Sequence, residues 1–158
     1  ARITFFKKSW ELICDTEDHL PKCKVHGFGL NAPSLVNRFP WYSLDSSSWV
    51  YYARLGIIIM PKTSVDGYGY RYDKPPVTIS ISTRRDPTGC RDHEHIKLLS
   101  KMDFAKVEKY VTDLGFTIDE LSVDHKKRDR INMIYFMDMC QSLPEYPWPY
   151  KERSDNLF

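Results

Sequence analysis

The clearest structural pattern in this sequence lies in residues 24–60, which read KVHGFGLNAPSLVNRFPWYSLDSSSWVYYARLGIIIM. The first six of these residues combine a short apolar segment with a Gly-x-Gly turn, which predicts a buried strand that ends in a tight loop. Pro33 stands in the first turn of a predicted helix, and the aromatic residues 41–44 predict a second strand. The order strand, helix, strand over this short distance predicts a parallel βαβ unit and an α/β fold.

A glycine loop and a carboxylate follow the two predicted strands. Because the carboxyl ends of neighbouring parallel strands meet at one edge of a sheet, we expect the Gly27-Phe28-Gly29 loop to lie beside Asp45. Serine hydroxyls from Ser46 onward can position the carboxylate of Asp45 while it still faces a ligand. Two simpler interpretations stay open: the glycines can serve only a tight turn, and Asp45 can cap the helix that follows.

The rest of the chain predicts helices around a hairpin. Two apolar segments predict the strands of a β-hairpin: residues 56–61 and 77–82. Three segments carry apolar residues at helical spacing: residues 4–14, 104–114 and about 117–142. Gly115 fits the end of the second helix, and Thr117 with Glu120 fits a capping box that begins the third, which we expect to break near Asp124. A proline-rich strap follows from residue 144.

Size and composition indicate one globular domain over residues 1–158. The chain has 158 residues and a mass of 18.6 kDa, and its 42% apolar and 28% charged residues exclude a chain that is disordered throughout. Its net charge of +2 neither requires nor excludes a polyanionic partner. Apolar runs are too short to span a bilayer and the amino-terminal residues do not resemble a signal peptide, so we expect a cytoplasmic protein without membrane contact.

Two segments carry side chains that suit nucleic acid. One is a basic run with four permanent cations: Lys126, Lys127, Arg128 and Arg130. These can contact phosphates, and a solvated helix face is the alternative. The other is a strand with alternating tyrosines: Tyr68, Tyr70 and Tyr72. Their rings would share one face and can stack on bases, or they can simply pack the hairpin.

The four cysteines and a pair of histidines bear on metal binding. The cysteines follow no paired metal-binding pattern, so we expect reduced thiols. Three residues in one polar loop nevertheless have the chemistry of zinc ligands: Cys90, His93 and His95. A fourth ligand is not evident in the sequence, so the prediction is a solvated loop and no cofactor, with zinc as the alternative.

The order of these segments resembles the last part of the barrel in the tRNA-guanine transglycosylase family. The resemblance rests on the Gly27-Phe28-Gly29 loop, on Asp45 after the next strand, and on Ala53-Arg54-Leu55-Gly56 before an apolar strand. It implies that residues 1–62 are the terminal βα units of a TIM-type barrel that is incomplete in this chain. A β-hairpin and a helical extension would then occupy residues 63–158. The serine-rich form is most similar to divergent relatives, often encoded by phages, that insert 7-deazaguanine bases into DNA.

The resemblance also implies a reaction and its partners. The reaction is the exchange of guanine for a 7-deazaguanine base in DNA or tRNA, with Asp45 as the nucleophile that attacks the ribose C1′. The Gly27-Phe28-Gly29 loop, Ser46 and Arg54 would bind the substrate, and the family's structural zinc site has no counterpart in this sequence. A second polypeptide or a second copy of the chain would complete the barrel. The alternative is a non-catalytic nucleic-acid-binding or structural module of phage type, which uses the basic run and the tyrosine-rich strand.

Overall fold

The computed structural model of the chain describes residues 2–65, 67, 69–89 and 95–151. Within these ranges the chain combines helices with two-stranded sheets, which agrees with the predicted α/β class at the level of mixed composition. Two compact units form, one from Ala1–Ser46 with Gln141–Phe158 and one from Ser47–Cys140. Across the described ranges, every helix is too short or too polar to traverse a lipid bilayer.

The described residues form the following elements in chain order. The helices are α1 (Arg2–Ile13), α2 (Pro33–Val36), α3 (Ser48–Arg54), α4 (Lys101–Asp113), α5 (Ile118–Val123) and α6 (His125–Gln141). The strands are β1 (His26–Gly27), β2 (Ser43–Leu44), β3 (Ile57–Met60), β4 (Lys62–Thr63), β5 (Tyr70–Arg71) and β6 (Val77–Ser80).

The first unit contains the predicted parallel βαβ arrangement. Strands β1 and β2 pair in parallel, with His26 opposite Ser43 and Gly27 opposite Leu44, and α2 connects them. This prediction is confirmed. Aromatic side chains from α1, from the βαβ unit and from the proline-rich strap form the core of the unit: Trp10, Phe39, Trp41 and Tyr150. The strap therefore packs on the unit through Tyr150, whose ring stacks on Phe39 with 5.6 Å between the centroids.

The second unit is built on the predicted hairpin. Strands β3 and β6 pair antiparallel, with Ile57 opposite Ser80 and Met60 opposite Val77. Strands β4 and β5 form a second antiparallel pair within the connection. The core of the unit consists of apolar residues from this sheet and from the helices that follow: Ile58, Met60, Ile79, Ile81, Val107, Tyr110, Val111, Leu121 and Ile131.

The helix ends of the second unit follow the sequence signals. Helix α4 stops before Gly115, whose φ of 78° lies in the left-handed region that glycine adopts without a steric penalty. Thr117 and Glu120 form the predicted capping box at the start of α5. Asp124 separates α5 from α6, so the predicted break is also confirmed.

A buried asparagine links α6 to two other elements of this unit. Asn132 accepts a hydrogen bond from the Ile59 backbone N–H at 2.7 Å and donates to the carbonyl oxygens of Trp49 and Ile57, both at 3.1 Å. The N–H of residue 59 and the carbonyl of residue 57 point to the same side of β3, away from β6. Asn132 therefore takes the place of a neighbouring strand at the free edge of β3.

Candidate functional site

The two glycines at the end of β1 differ in how strongly the backbone favours them. A Cβ atom on Gly27 would lie 2.7 Å from methyl carbons of Leu30 and Leu44, closer than real contacts of this kind. Gly29 has a φ of 61°, again in the left-handed region. Gly29 thus has the backbone conformation of a tight turn, and this turn brings Phe28 and Gly29 to the carboxyl end of β2.

Asp45 lies against this loop, as the parallel pairing predicts. The Gly29 backbone N–H donates to Oδ1 of Asp45 at 2.6 Å, and the Asp45 backbone N–H donates to the Gly27 carbonyl at 3.2 Å. The side chain of Asp45 remains 56% exposed. The N-cap of α3 is Ser47, so the alternative in which Asp45 caps that helix is wrong. Asp45 instead orders the glycine loop and still presents its carboxylate to solvent.

His26 and Ser43, which no sequence motif marks, also belong to this site. The Ser43 hydroxyl and Nδ1 of His26 are 2.9 Å apart, and Nε2 lies 3.7 Å from Oδ1 of Asp45. A signal for this arrangement does exist in the sequence. Asp45 follows β2 two positions after Ser43, so alternation along the extended chain puts both side chains on one side, and the parallel register places His26 opposite Ser43.

The loop also exposes an aromatic ring at the same edge. Phe28 is 81% exposed, and its ring meets that of His26 edge to face with 4.3 Å between the centroids. An exposed ring next to an imidazole and a carboxylate can stack on a flat ligand while the polar groups act on it. The site therefore brings together an exposed carboxylate, an imidazole and an exposed aromatic ring.

Two predicted substrate contacts, Ser46 and Arg54, follow Asp45 along the chain. Ser46 is half-buried and is the last residue of the first segment of unit one. Arg54 is exposed and ends α3 in the second unit. Arg54 lines a cavity of that unit together with other basic residues.

The four cations of the basic run have different environments on α6. Arg128 is only 5% exposed, and its Nε and Nη1 donate to the carbonyls of Ala53 and Leu121 at 2.9 and 2.6 Å. Lys127 is half-buried and pairs with Glu120 at 2.5 Å. Lys126 and Arg130 are exposed and offer the most accessible charges of the run.

Tyr70 and Tyr72, the described tyrosines of the predicted stacking strand, form hydrogen bonds within the second unit. Tyr70 donates its phenol proton to Asp113 at 2.9 Å, and Tyr72 donates to Asp138 at 3.0 Å. The Tyr70 ring packs edge to face on Tyr110. Burial, and then the bond to Asp113, raise the pKa of Tyr70 to about 12. These contacts match the alternative in which the tyrosines pack the hairpin; Tyr68 lies outside the described residues.

The predicted weak metal ligands fall mostly outside the described residues. Cys90 and His93 belong to that undescribed part of the chain, whereas His95 is 1% exposed and its Nδ1 accepts from the Lys97 backbone N–H at 3.2 Å. Among the described residues, no group of three or more His, Cys, Asp or Glu side chains has the geometry to hold a metal ion. Cys14, Cys23 and Cys140 form no disulfide bond with one another or with another described residue.

Comparisons of the chain with protein-family models, with curated proteins and with solved structures give no match in any of the three. The fold and site define a mixed α/β protein with a short parallel βαβ unit and a solvent-facing Asp–His pair. Its function is therefore inferred from these residues and from the resemblance of residues 24–60.

Proposed function

We propose that this chain carries the nucleophile of a base-exchanging transglycosylase, which replaces guanine by a 7-deazaguanine base in DNA or tRNA. The observation that carries the proposal is the placement of Asp45. Its carboxylate stands at the carboxyl ends of two parallel strands, is oriented by the Gly29 N–H and remains 56% exposed. The resemblance of residues 24–60 to the end of the transglycosylase barrel supplies the reaction class, and those residues would be terminal βα units of such a barrel.

The proposed reaction consists of two displacements at the same sugar carbon. A carboxylate oxygen of Asp45 attacks C1′, the C1′–N9 bond breaks, and guanine leaves with the electron pair and takes up a proton. N9 of the incoming base then attacks C1′, loses its proton and breaks the ester bond, which restores the carboxylate. Each displacement passes through an oxocarbenium-like transition state whose positive charge a carboxylate stabilises.

A second group must give a proton to guanine and accept one from the incoming base. The resemblance assigns this role to an aspartate from an earlier part of the barrel, which a partner polypeptide would supply. His26 is the candidate within this chain, because its Nε2 lies 3.7 Å from Oδ1 of Asp45 and imidazole is the commonest proton-transfer group in enzymes. The exposed ring of Phe28 would stack on the base.

Nucleoside analysis after the reaction tests the proposal. The protein, in the assembly in which it is purified, is incubated with a 7-deazaguanine base and with guanine-containing DNA or tRNA, which is then digested and analysed by mass spectrometry. We expect incorporation by the unchanged protein and none by Asp45→Asn. The amide of this variant can still accept the bond from Gly29, but it cannot form the ester.

A matched control separates chemistry from loop order. Asp15 also accepts a backbone N–H, from Glu17 at 2.8 Å, so Asp15→Asn makes the same chemical change at a turn outside the site. We expect this variant to keep full activity. Incorporation that survives Asp45→Asn, or none from the unchanged protein with either nucleic acid, would overturn the proposal. Native mass spectrometry of the same sample reports whether a partner or a second copy is bound.

A non-catalytic nucleic-acid-binding module is the second candidate. The observation in its favour is that Lys126 and Arg130 stand exposed near the start of a helix, where they can reach phosphates. In that case the unchanged protein and Asp45→Asn would bind nucleic acid equally and neither would exchange a base.

A further inference from the structure

A basic cavity in the second unit is lined by Arg54, a predicted substrate contact, but not by Asp45, His26 or the glycine loop. Its volume is about 500 Å³, and it opens where residues 54–56, 82–85 and 123–128 meet. Two backbone bonds fix these segments: the Ser82 N–H donates to the Gly56 carbonyl at 3.2 Å, and the Thr83 N–H donates to the Ser122 carbonyl at 3.1 Å. A cavity of this size, with walls fixed by backbone bonds, can hold a small ligand or part of a larger one.

The charge of the cavity has one sign. The basic side chains that line it are Arg54, Arg84, Arg85, His125 and Arg128, and its described lining contains no Asp or Glu. Within the described part of the chain, Arg54, Arg84 and Arg85 form no ion pair with a carboxylate. Several unneutralised cations in a concave surface raise the local potential and attract anions.

Arg128 is a buried cation among the residues that line this cavity. Its guanidinium is held by the carbonyls of Ala53 and Leu121 and is not in contact with a described carboxylate. Burial lowers the pKa of Arg128, because the cation loses its water, while Asp124 and Asp129 offset part of that effect from a distance. A buried cation without a bound carboxylate is costly, so an anion in the cavity would stabilise it.

We infer that this cavity binds a phosphate group through Arg84 and Arg85, which line it together with the buried Arg128. Guanidinium groups suit phosphate because their planar N–H forks bind two of its oxygens at once. Inorganic phosphate, a free nucleotide and the backbone of a nucleic acid all present this group. Because neither Asp45 nor the glycine loop lines the cavity, phosphate binding there does not require the proposed nucleophile.

Three probes distinguish the source of the phosphate. Calorimetry measures binding of inorganic phosphate and of thymidine monophosphate, and fluorescence anisotropy measures binding of a labelled oligothymidylate. These probes contain no guanine, so base exchange cannot contribute. We expect Arg84→Gln/Arg85→Gln to weaken binding about tenfold or more, as the loss of charge-assisted hydrogen bonds predicts. The salt dependence of oligothymidylate binding should fall by up to about 1.4 in log–log slope.

The control is Lys97→Gln/Lys101→Gln, which removes two exposed cations of the same unit outside the cavity. We expect it to bind like the unchanged protein. Arg84→Lys/Arg85→Lys keeps both positive charges but removes the paired N–H donors of the guanidinium groups. This variant should bind phosphate with intermediate affinity. Thermal unfolding of each variant checks the fold; if the glutamine pair is unfolded, Arg84→Gln alone replaces it because Arg84 is exposed.

The outcomes separate this inference from the proposed function. Binding of the first two probes indicates a free phosphate ligand, and binding of oligothymidylate alone indicates the nucleic-acid backbone. No binding of any probe, unchanged binding by the cavity variants, or equal loss in the lysine control would overturn the inference. Asp45→Asn should bind every probe normally. If the unchanged protein binds the probes but does not exchange a base, only the proposed function is refuted.

Discussion

Replacement of Asn132 by alanine should destabilise the second unit severely. The side chain is fully buried and makes three hydrogen bonds to backbone groups of β3 and α3, between 2.7 and 3.1 Å long. Alanine would leave the Ile59 N–H and the carbonyls of Trp49 and Ile57 without these partners. A buried polar group that loses its partner costs about 1–3 kcal/mol, so we expect a loss of about 3–5 kcal/mol in the free energy of unfolding.

Urea unfolding followed by far-ultraviolet circular dichroism measures this loss, provided that the m-value is unchanged. Met133→Ala is the matched control, because Met133 is the next residue on the same helix and is 39% exposed. Its truncation should cost less than about 1 kcal/mol. A loss below about 1 kcal/mol for Asn132→Ala would refute the reasoning, since the three bonds would then contribute almost nothing.

Three further predictions concern the same unit. Gly56→Ala should cost about 2–4 kcal/mol, because φ is 78° and the new Cβ would lie 2.5 Å from that of Ser82; a neutral result by urea unfolding would contradict this. Thr117→Ala should cost about 1 kcal/mol by removing the acceptor of the Glu120 N–H, and an unchanged unfolding midpoint would speak against the cap. Tyr70 keeps its proton in the folded state until its pKa of about 12, whereas the unfolded chain releases it near 10. Stability should therefore fall as pH rises through this window, as thermal unfolding would detect, and an equal fall in Tyr70→Phe would exclude Tyr70 as a cause.

The local elements and the pairing of Asp45 with the glycine loop are predictable from the sequence. The helix ends at Gly115 and at the capping box of Thr117 depend on residues a few positions apart, so their pattern is visible in the chain itself. The contact between Gly29 and Asp45 follows from a general rule, because loops after neighbouring parallel strands meet at one edge of the sheet.

The other contacts depend on packing that no local pattern contains. Arg128 belongs to a run of cations, yet it is buried because the carbonyl of Ala53, 75 residues away in sequence, accepts its proton. The phenol of Tyr72 finds its acceptor, Asp138, 66 residues further along. Residue type alone predicts that an arginine is exposed and that alternating tyrosines can stack on bases. At these positions tertiary contacts instead bury Arg128 and bond Tyr72 to Asp138.

The central claim is that Asp45 forms a covalent intermediate with the sugar. The most direct test is to stop the exchange reaction midway and measure the mass of the protein. The protein is mixed with a guanine-containing oligonucleotide, quenched in acid, digested and analysed by mass spectrometry. A covalent intermediate predicts an oligonucleotide lacking one guanine, attached to the peptide that contains Asp45, and no such species from Asp45→Asn. Attachment to a different residue, or base exchange by Asp45→Asn at the normal rate, would contradict the claim.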